Sequence, residues 1–391
     1  MEKLIYLDSG ATTFPKPEEV YVAMDQFYRN YGVNPGRSGY DLCMAAGAII
    51  EETRKLLTEF FNGTDPNRLI FALNATDALN LAIFGLLQEG DHAITTNLEH
   101  NSVLRPLFHL CKYSGVEVDY VPFDDNGFVD PAEFARCFKK NTRLTVINHS
   151  SNVIGTVQPV QEIGRLCRQQ GVILLVDTAQ SAGKIPVNMA EMNIDIIAFT
   201  GHKSLMGPMG IGGLYVREGV EIRHTRAGGT GVRSAVRTHL DEYPYRLEYG
   251  TPNLPGIAGL NAGVKWVLKQ GMSNIHDHEM KLLRRLKEGL QKIEGVTLYC
   301  HDDLANHIGI LTFNVDGLEA HDTGTMLDVD YNIASRTGLH CAPLVHEQLG
   351  TDKIHGSVRF GIGPFNTVEE IESAIRAVED IARLHQKKKS S

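Results

Sequence analysis

Ile194-Asp195-Ile196-Ile197-Ala198-Phe199-Thr200-Gly201-His202-Lys203-Ser204-Leu205-Met206-Gly207-Pro208-Met209-Gly210-Ile211-Gly212-Gly213 is the stretch on which the reading of the chain turns. An apolar run of strand length stops at a lysine wrapped in glycines, and Gly213-Leu214-Tyr215-Val216 then reads as a new strand. A lysine that ends a buried strand must find a partner or lose its charge, because an unpaired ammonium in apolar surroundings is costly. One outcome is a neutral amine that condenses with an aldehyde cofactor; the other is a surface lysine at a strand end. Two glycine-loop readings fail on the letters. A nucleotide-hydrolase phosphate loop needs glycine directly before the lysine, where His202 stands, and a dinucleotide fingerprint needs its third glycine where Tyr215 stands.

Outward from this stretch, short apolar runs alternate with helical patterns from Arg68 onward. The runs are Leu69 to Leu73, His92 to Thr96, Val116 to Val121, Leu144 to Asn148, Val172 to Val176 and Ile194 to Phe199. Such repeated strand-helix units predict an α/β architecture with a mainly parallel central sheet covered on both faces. Ligands in these sheets sit beyond the carboxyl ends of the strands, and there the chain is polar: Asn74-Ala75-Thr76, Glu99-His100, His149-Ser150-Ser151-Asn152, Asp177-Thr178-Ala179-Gln180 and Thr200-Gly201-His202-Lys203.

Ahead of this region, helical spacing appears around residues 17 to 30 and 42 to 61, separated by the turn-rich Gly32-to-Gly39 loop, a connector or a site edge. After Gly250-Thr251-Pro252-Asn253-Leu254-Pro255-Gly256 the order becomes mixed. Helices are expected near 256 to 270, 273 to 293, 319 to 328 and 367 to 385, with strands near 296 to 300 and 307 to 314, which suggests a separate, smaller α+β domain.

A chain of 391 residues exceeds one ordinary core at about 150 residues per domain. Its net charge of −9, with basic residues dispersed, argues against nucleic acid or an anionic membrane as partner. No apolar run is long enough to span a bilayer and the start lacks a secretory pattern, so a cytoplasmic protein is expected. Six cysteines (Cys43, Cys111, Cys137, Cys167, Cys300, Cys341) without C-x-x-C pairs indicate neither a disulfide framework nor a zinc ribbon.

Asp177 ends a nearly all-apolar strand, where burial raises a carboxyl pKa unless a cation adjoins it. A protonated pyridine nitrogen is such a cation, so Asp177 and Lys203 at neighbouring strand ends fit one pyridoxal phosphate site; alone, Asp177 also reads as a turn cap. Asn74-Ala75-Thr76 opens a helix, a geometry that binds phosphate, although Thr76 equally reads as an N-cap. Thr200 and His202 could add phosphate donors. His100 could stack on a planar ring or exchange protons, and Gln180 could reach a phenolic oxygen. In Arg336-Thr337-Gly338-Leu339-His340-Cys341-Ala342-Pro343, the proline suits the start of a helix through about Leu349. Cys341 would then have a helix N-terminus, Arg336 and His340 nearby, all favouring thiolate; the spacing of His340, Cys341 and His346 fits no standard zinc set. Arg359, in a strand pattern, is a candidate bidentate grip on a carboxylate or a solvent-facing residue.

Taken together, Leu7-Asp8-Ser9-Gly10-Ala11-Thr12-Thr13, Ser151 to Thr156, Val176 to Gln180, Thr200 to Lys203, Gly250 to Asn253 and Arg336 to Cys341 resemble the pyridoxal phosphate-dependent class V aminotransferase superfamily. Within it the chain is similar to the group II cysteine desulfurases, the selenocysteine lyase-like family with a short reactive-cysteine loop. The resemblance implies transferase fold type I, with a large cofactor domain at 16–255. A smaller domain, made of 1–15 and 256–391, would carry the cysteine loop.

By that resemblance Lys203 holds pyridoxal 5'-phosphate covalently, Asp177 pairs with its ring nitrogen, His100 lies over the ring, and Gln180 and Asn152 contact ring substituents or substrate. Ala75, Thr76, Thr200 and His202 bind the phosphate with Thr251 of the partner subunit, which implies a homodimer. Arg359, helped by Arg336, holds the carboxylate of L-cysteine or L-selenocysteine. Cys341 takes the sulfur as a persulfide, alanine leaves, and an acceptor protein or thiol receives the sulfur. Three positions depart from the common group II pattern: Leu339 and Asn101 replace histidines, and Asn74-Ala75-Thr76-Asp77 replaces Gly-Thr-Thr-Glu. The rival readings are a selenocysteine lyase or another class V enzyme in which Cys341 is dispensable, and a non-catalytic scaffold.

Overall fold

The computed structural model describes residues 4–35, 39–299 and 304–390, with side chains through 386. In chain order its strands are β1 (Ile5–Tyr6), β2 (Leu69–Ala72), β3 (His92–Thr96), β4 (Glu117–Val121), β5 (Thr142–Asn148), β6 (Ile173–Asp177), β7 (Ile196–Thr200), β8 (Gly212–Val216), β9 (Val296–Tyr299), β10 (Ile310–Val315), β11 (Ile333–Ala334), β12 (Arg336–Gly338) and β13 (Ser357–Gly361). Residues 36–38 of the loop expected at 32–39, and Cys300 at the end of a predicted strand, lie outside the described residues.

The seven-stranded sheet runs β2-β8-β7-β6-β5-β3-β4. From β7 to β4 every pairing is parallel, whereas β8 is antiparallel to both β7 and β2. The strand after the lysine's glycine-rich loop is thus the one that breaks the parallel order, because a loop with no crossover helix can only turn the chain back beside β7. Here backbones approach closely: a Cβ on Gly212 would sit 2.7 Å from Phe199 O and 2.8 Å from Asn74 Cα.

Both faces of the sheet are buried, and the period of two decides which residue serves which face. Ile197 and Phe199 of β7 join Leu174 and Val176 of β6 in one core, while Ile196 and Ala198 join Leu175, Val146 and Leu214 in the other. The helix Leu254–Gln270 was expected beyond a boundary at 255. It contributes Ile257, Leu260 and Val264 to the first of these cores, because its apolar stripe packs against the large sheet's layer.

A third core gathers Leu7, Leu282, Leu286, Phe313, Phe360, Ile371 and Val378. It lies between the four-stranded antiparallel sheet β12-β13-β10-β9 and the helices Met272–Leu290 and Val368–Ser390. β1 pairs with β11, and the next residues run beside β13, with Ser9 N donating to Gly361 O and Gly361 N to Leu7 O. That register carries Asp8 and Gly10 to the cavity described below. No described helix is long and apolar enough to cross a membrane.

Candidate active site

A cavity of about 250 Å³ opens beyond the carboxyl ends of β5, β6 and β7, against the first turn of the helix Ala75–Leu86. Asp177, the last residue of β6, and Lys203, three residues past β7, both line it. Burial pushes the Asp177 carboxyl up, opposed by the Ala179 amide at 2.9 Å and by Lys203. Burial also brings the Lys203 amine down from 10.5 to about 8; Arg359 and Arg336 add to the fall, while Asp177 and Asp8 oppose it. That fall raises the neutral fraction at pH 7 by ~300-fold, which makes the amine a usable nucleophile and base.

At the other end the cavity meets a helix start. Asn74, not Thr76, is the N-cap: its backbone is extended and its Oδ1 accepts from Asp77 N at 3.0 Å. Such a cap is worth about 1 kcal/mol. It leaves the Ala75 and Thr76 amides, which have no carbonyl one turn earlier, beside the cavity both residues line. The Thr76 hydroxyl is 2.6 Å from Ser102 Oγ. Across from them, Thr200 Oγ1 and His202 Nδ1 are buried without a partner, a cost a protein bears only where something else completes the bonds.

His100 lines the same wall and caps the helix Asn101–Ser114. Ser102 N donates to His100 Nδ1 at 3.0 Å, so the ring carries its hydrogen on Nε2. Burial, with Lys203 and the neighbouring guanidinium groups, lowers its pKa to about 3 and keeps it neutral. Below it Glu99 is fully buried, with Oε1 accepting from Thr96 Oγ1 at 2.7 Å and Asn148 N at 3.0 Å. Burial raises this carboxyl to about 8.

The third wall comes from the smaller sheet. The Arg336 stretch, to which the sequence reading assigned no strand, forms β12 against β13, with Arg336 directly opposite Arg359. Two guanidinium groups side by side call for an anion between them. Arg359 is 1% exposed; it donates to Asp8 Oδ1 and Asn152 O, both at 2.8 Å, and its Nε is buried without a partner. Gly10 permits this placement, since a Cβ there would stand 3.0 Å from Arg359 Cζ. Asn152 also donates from Nδ2 to His340 O at 2.7 Å, and Gln180 donates to Gly10 O at 2.9 Å.

Cys341 does not itself line the cavity; its neighbours Arg336 and His340 do. Arg336 Nη2 is 3.4 Å from its Sγ, and Asn101 N, a free amide of a helix start, donates to its carbonyl at 2.7 Å. His340 and Cys341 both have positive φ, 48° and 58°, at about 1–2 kcal/mol per residue. The helix Pro343–Leu349 begins where the sequence placed it. His340 does not act on the thiol as expected: its ring is 3% exposed, turned to Arg336 O and His346, and burial holds it neutral. Thr251, within its own chain, lines a different groove of about 660 Å³ together with Asp77, Arg226 and Tyr249. Among the described residues no cluster of His, Cys, Asp and Glu forms a metal site.

The family model described as Aminotransferase class-V matches residues 5–373. The chain belongs to the class-V aminotransferase family. It is 36% identical over 390 residues to a probable cysteine desulfurase of Pyrococcus abyssi, covering 98% of this chain and 95% of that relative. The solved apo structure of a cysteine desulfurase from Thermococcus onnurineus NA1 is similar at a TM-score of 0.91 and 36% identity, covering 97% of this chain and 95% of that one. The Escherichia coli cysteine desulfurase CsdA, in an S-sulfonic acid form, follows at a TM-score of 0.88 and 28% identity, again covering 97% and 95%.

In this class-V aminotransferase chain the cavity therefore gathers Ala75, Thr76, His100, Asn152, Asp177, Gln180, Thr200, His202, Lys203, Arg336 and Arg359. Sequence reasoning missed Ser102, Asn148 and Ser150, which also line it. Asn148 was legible as a strand end directly beside Asp177, a pairing that follows from the order of the parallel strands. Ser102 had no signal, since its role comes from the meeting of two helix starts.

Proposed function

We propose that the protein is a pyridoxal 5'-phosphate-dependent cysteine desulfurase that converts L-cysteine to L-alanine and carries the sulfur as a persulfide on Cys341. The observation that supports this most is that Arg336, 3.4 Å from Cys341 Sγ, lines the same cavity as Lys203. The donor set fits the cofactor at both ends. Unpartnered Thr200 Oγ1 and His202 Nδ1, with the Ala75 and Thr76 amides, suit a phosphate, and the buried Asp177 carboxylate suits a protonated ring nitrogen. Bound there, pyridoxal phosphate supplies an aldehyde for capture of amines and a ring that accepts electrons.

Arg359 and Arg336 grip the substrate carboxylate and so fix the direction of its side chain. Lys203, the residue that would hold the cofactor, would serve through its neutral amine as the base for the α-proton. His100, neutral and lining the cavity, would lie against the cofactor and offer its Nε2 hydrogen. Cys341 Sγ then attacks the substrate sulfur: the new S–S bond forms as the carbon–sulfur bond breaks, the electron pair of that bond stays on the β-carbon, which takes up one proton, and the α-carbon regains the proton that Lys203 removed, so that alanine is released. An acceptor protein or thiol removes the outer sulfur.

The protein works as a homodimer in which Thr251 of the partner subunit completes the phosphate site. The groove that holds Thr251 supports this reading, because it reaches Asp77 in the first turn of the phosphate helix. The chain divides into a cofactor domain at 16–255 and a smaller domain of 1–15 with 256–391. The separate core around Phe313 and Phe360 supports the division, while the helix Leu254–Gln270 stays seated on the cofactor domain. The cytoplasm, which keeps acceptor thiols reduced, suits this chemistry.

The test is alanine and persulfide formation by wild type and Cys341→Ala, with cysteine and selenocysteine side by side. Loss of alanine from cysteine in the variant is expected. Full-rate alanine formation without the thiol would instead identify a selenocysteine lyase or another class V activity.

A further inference from the structure

Behind Cys341 lies a buried chain of side-chain hydrogen bonds that the chemistry above does not use. His340 Nε2 is 3.3 Å from Arg336 O, which can only accept, so Nε2 carries the hydrogen. His340 Nδ1 is then an acceptor, and His346 Nε2, 3.3 Å away, must donate to it. His346 Nδ1 in turn accepts from the Thr351 hydroxyl at 2.8 Å. His346 and Thr351 are 0% and 2% exposed, and burial, against the pull of Asp352, holds His346 neutral with a pKa near about 4. One direction of donation, from Thr351 through His346 to His340 and on to Arg336 O, satisfies every atom in the chain.

The chain ends on the residue that shares the left-handed turn with Cys341. His340 O is held from the other side by Asn152 Nδ2, and Cys341 O by Asn101 N, so the backbone of the turn is pinned by donors while the ring of His340 is pinned by His346. A His340 ring released from His346 is free to leave Arg336 O, and the turn then relaxes toward ordinary right-handed or extended backbone.

We propose that His346 is a positioning residue for Cys341: the hydrogen-bond chain Thr351–His346–His340 holds the left-handed turn that sets the thiol beside Arg336. The proposal deepens the desulfurase reading and rests on it for the consequence to turnover. His346 itself touches neither substrate nor cofactor.

The test compares His346→Leu, His346→Gln and Thr351→Val as cofactor-loaded proteins. Two quantities are read: the rate of persulfide formation on Cys341 with cysteine, and, without substrate, the rate of Cys341 alkylation by iodoacetamide followed on its own peptide by mass spectrometry. His346→Leu should slow persulfide formation at least 10-fold and change the alkylation rate at least threefold, with KM for cysteine and the cofactor's visible absorption within twofold of wild type. His346→Gln, whose amide can still donate to His340 Nδ1, should recover to within threefold, and Thr351→Val should fall between. Wild-type rates in His346→Leu would overturn the proposal, as would equal damage by Leu and Gln, which would signify lost packing. Should His346→Leu fail to fold, Thr351→Val decides, and wild-type behaviour there overturns the proposal equally. If wild type itself makes no alanine from cysteine, the desulfurase reading falls while the alkylation comparison still decides the role of His346.

Discussion

Lys203, which lines the cavity, and Cys341, which adjoins it through Arg336, are carried by unlike scaffolds. Lys203 follows a strand whose every residue is buried and which is hydrogen-bonded on both sides, and Gly201 N and Gly207 N close its loop onto Ile211 O and Gly201 O. Lys203 itself does not have a left-handed backbone; the left-handed non-glycine residue of its loop, Met206 at φ 59°, stands three residues farther on. Cys341 lies beyond a three-residue strand at the edge of a smaller sheet, in a pair of left-handed non-glycine residues held by the side chains of Asn152 and His346 and by the backbone amide of Asn101. The amine is fixed by the sheet, the thiol by local bonds that oppose strain. A group that must stay put is built on the first kind of support, and one whose bearing is set by a few polar contacts on the second.

The comparison breaks most severely at the amine. Lys203→Ala should lower alanine formation at least 10³-fold and abolish the yellow absorption of covalently held cofactor. Borohydride reduction and peptide mapping check this, and label retained on another lysine would contradict the placement of the site.

The arginine pair belongs to neither scaffold alone, since β13 supplies Arg359 while Asp8 and Gly10 shape it. Arg359→Ala should raise KM for cysteine ~100-fold, the scale of a lost charge-assisted contact, with cofactor affinity nearly unchanged. Gly10→Ala, which places a methyl group against the guanidinium, should give about a tenth of that effect. Steady-state kinetics beside cofactor titration separates the two, and equal loss of substrate and cofactor binding would count against a carboxylate grip.

The smallest effect sharpens the sheet side. Burial raises Glu99 from 4.5 to about 8, so the folded protein holds a proton there that the unfolded chain has released. Its contribution is complete below about 4.5 and declines as pH rises through about 8. Glu99→Gln should therefore flatten the fall in Tm between those values by a few degrees, as thermal melts across the range would register. An unchanged slope would mean that Glu99 is ionised in the fold.

The sheet and the amine half of the site were legible because strand periodicity is local and the polar residues at strand ends announce themselves: Asp177, Lys203, His100 and Asn152 all meet where the pattern placed them. The thiol half was less so. The strand that carries Arg336 went unassigned because three residues are too few to display alternation, and its partnership with Arg359 exists only in the register of two strands. His346 entered the sequence reading only as part of a zinc set whose spacing fits no standard one; its value depends on a left-handed turn at His340 and Cys341 that the sequence does not announce. Asn74 took the cap from Thr76 because an asparagine in extended backbone reaches the third amide of the helix, which leaves the threonine hydroxyl for Ser102.

The reversed strand β8 leaves a mark on what this chain can become. At Gly212 a Cβ would stand 2.7 Å from Phe199 O, in the strand that leads to Lys203, and 2.8 Å from Asn74 Cα, so a single methyl group there would meet both. The strand that leads to Lys203 and the start of the helix Ala75–Leu86 therefore meet across a seam of bare main chain, so that any bulk admitted at position 212 would press on both walls of the cavity together, and their spacing is gauged by a residue that carries no functional group at all.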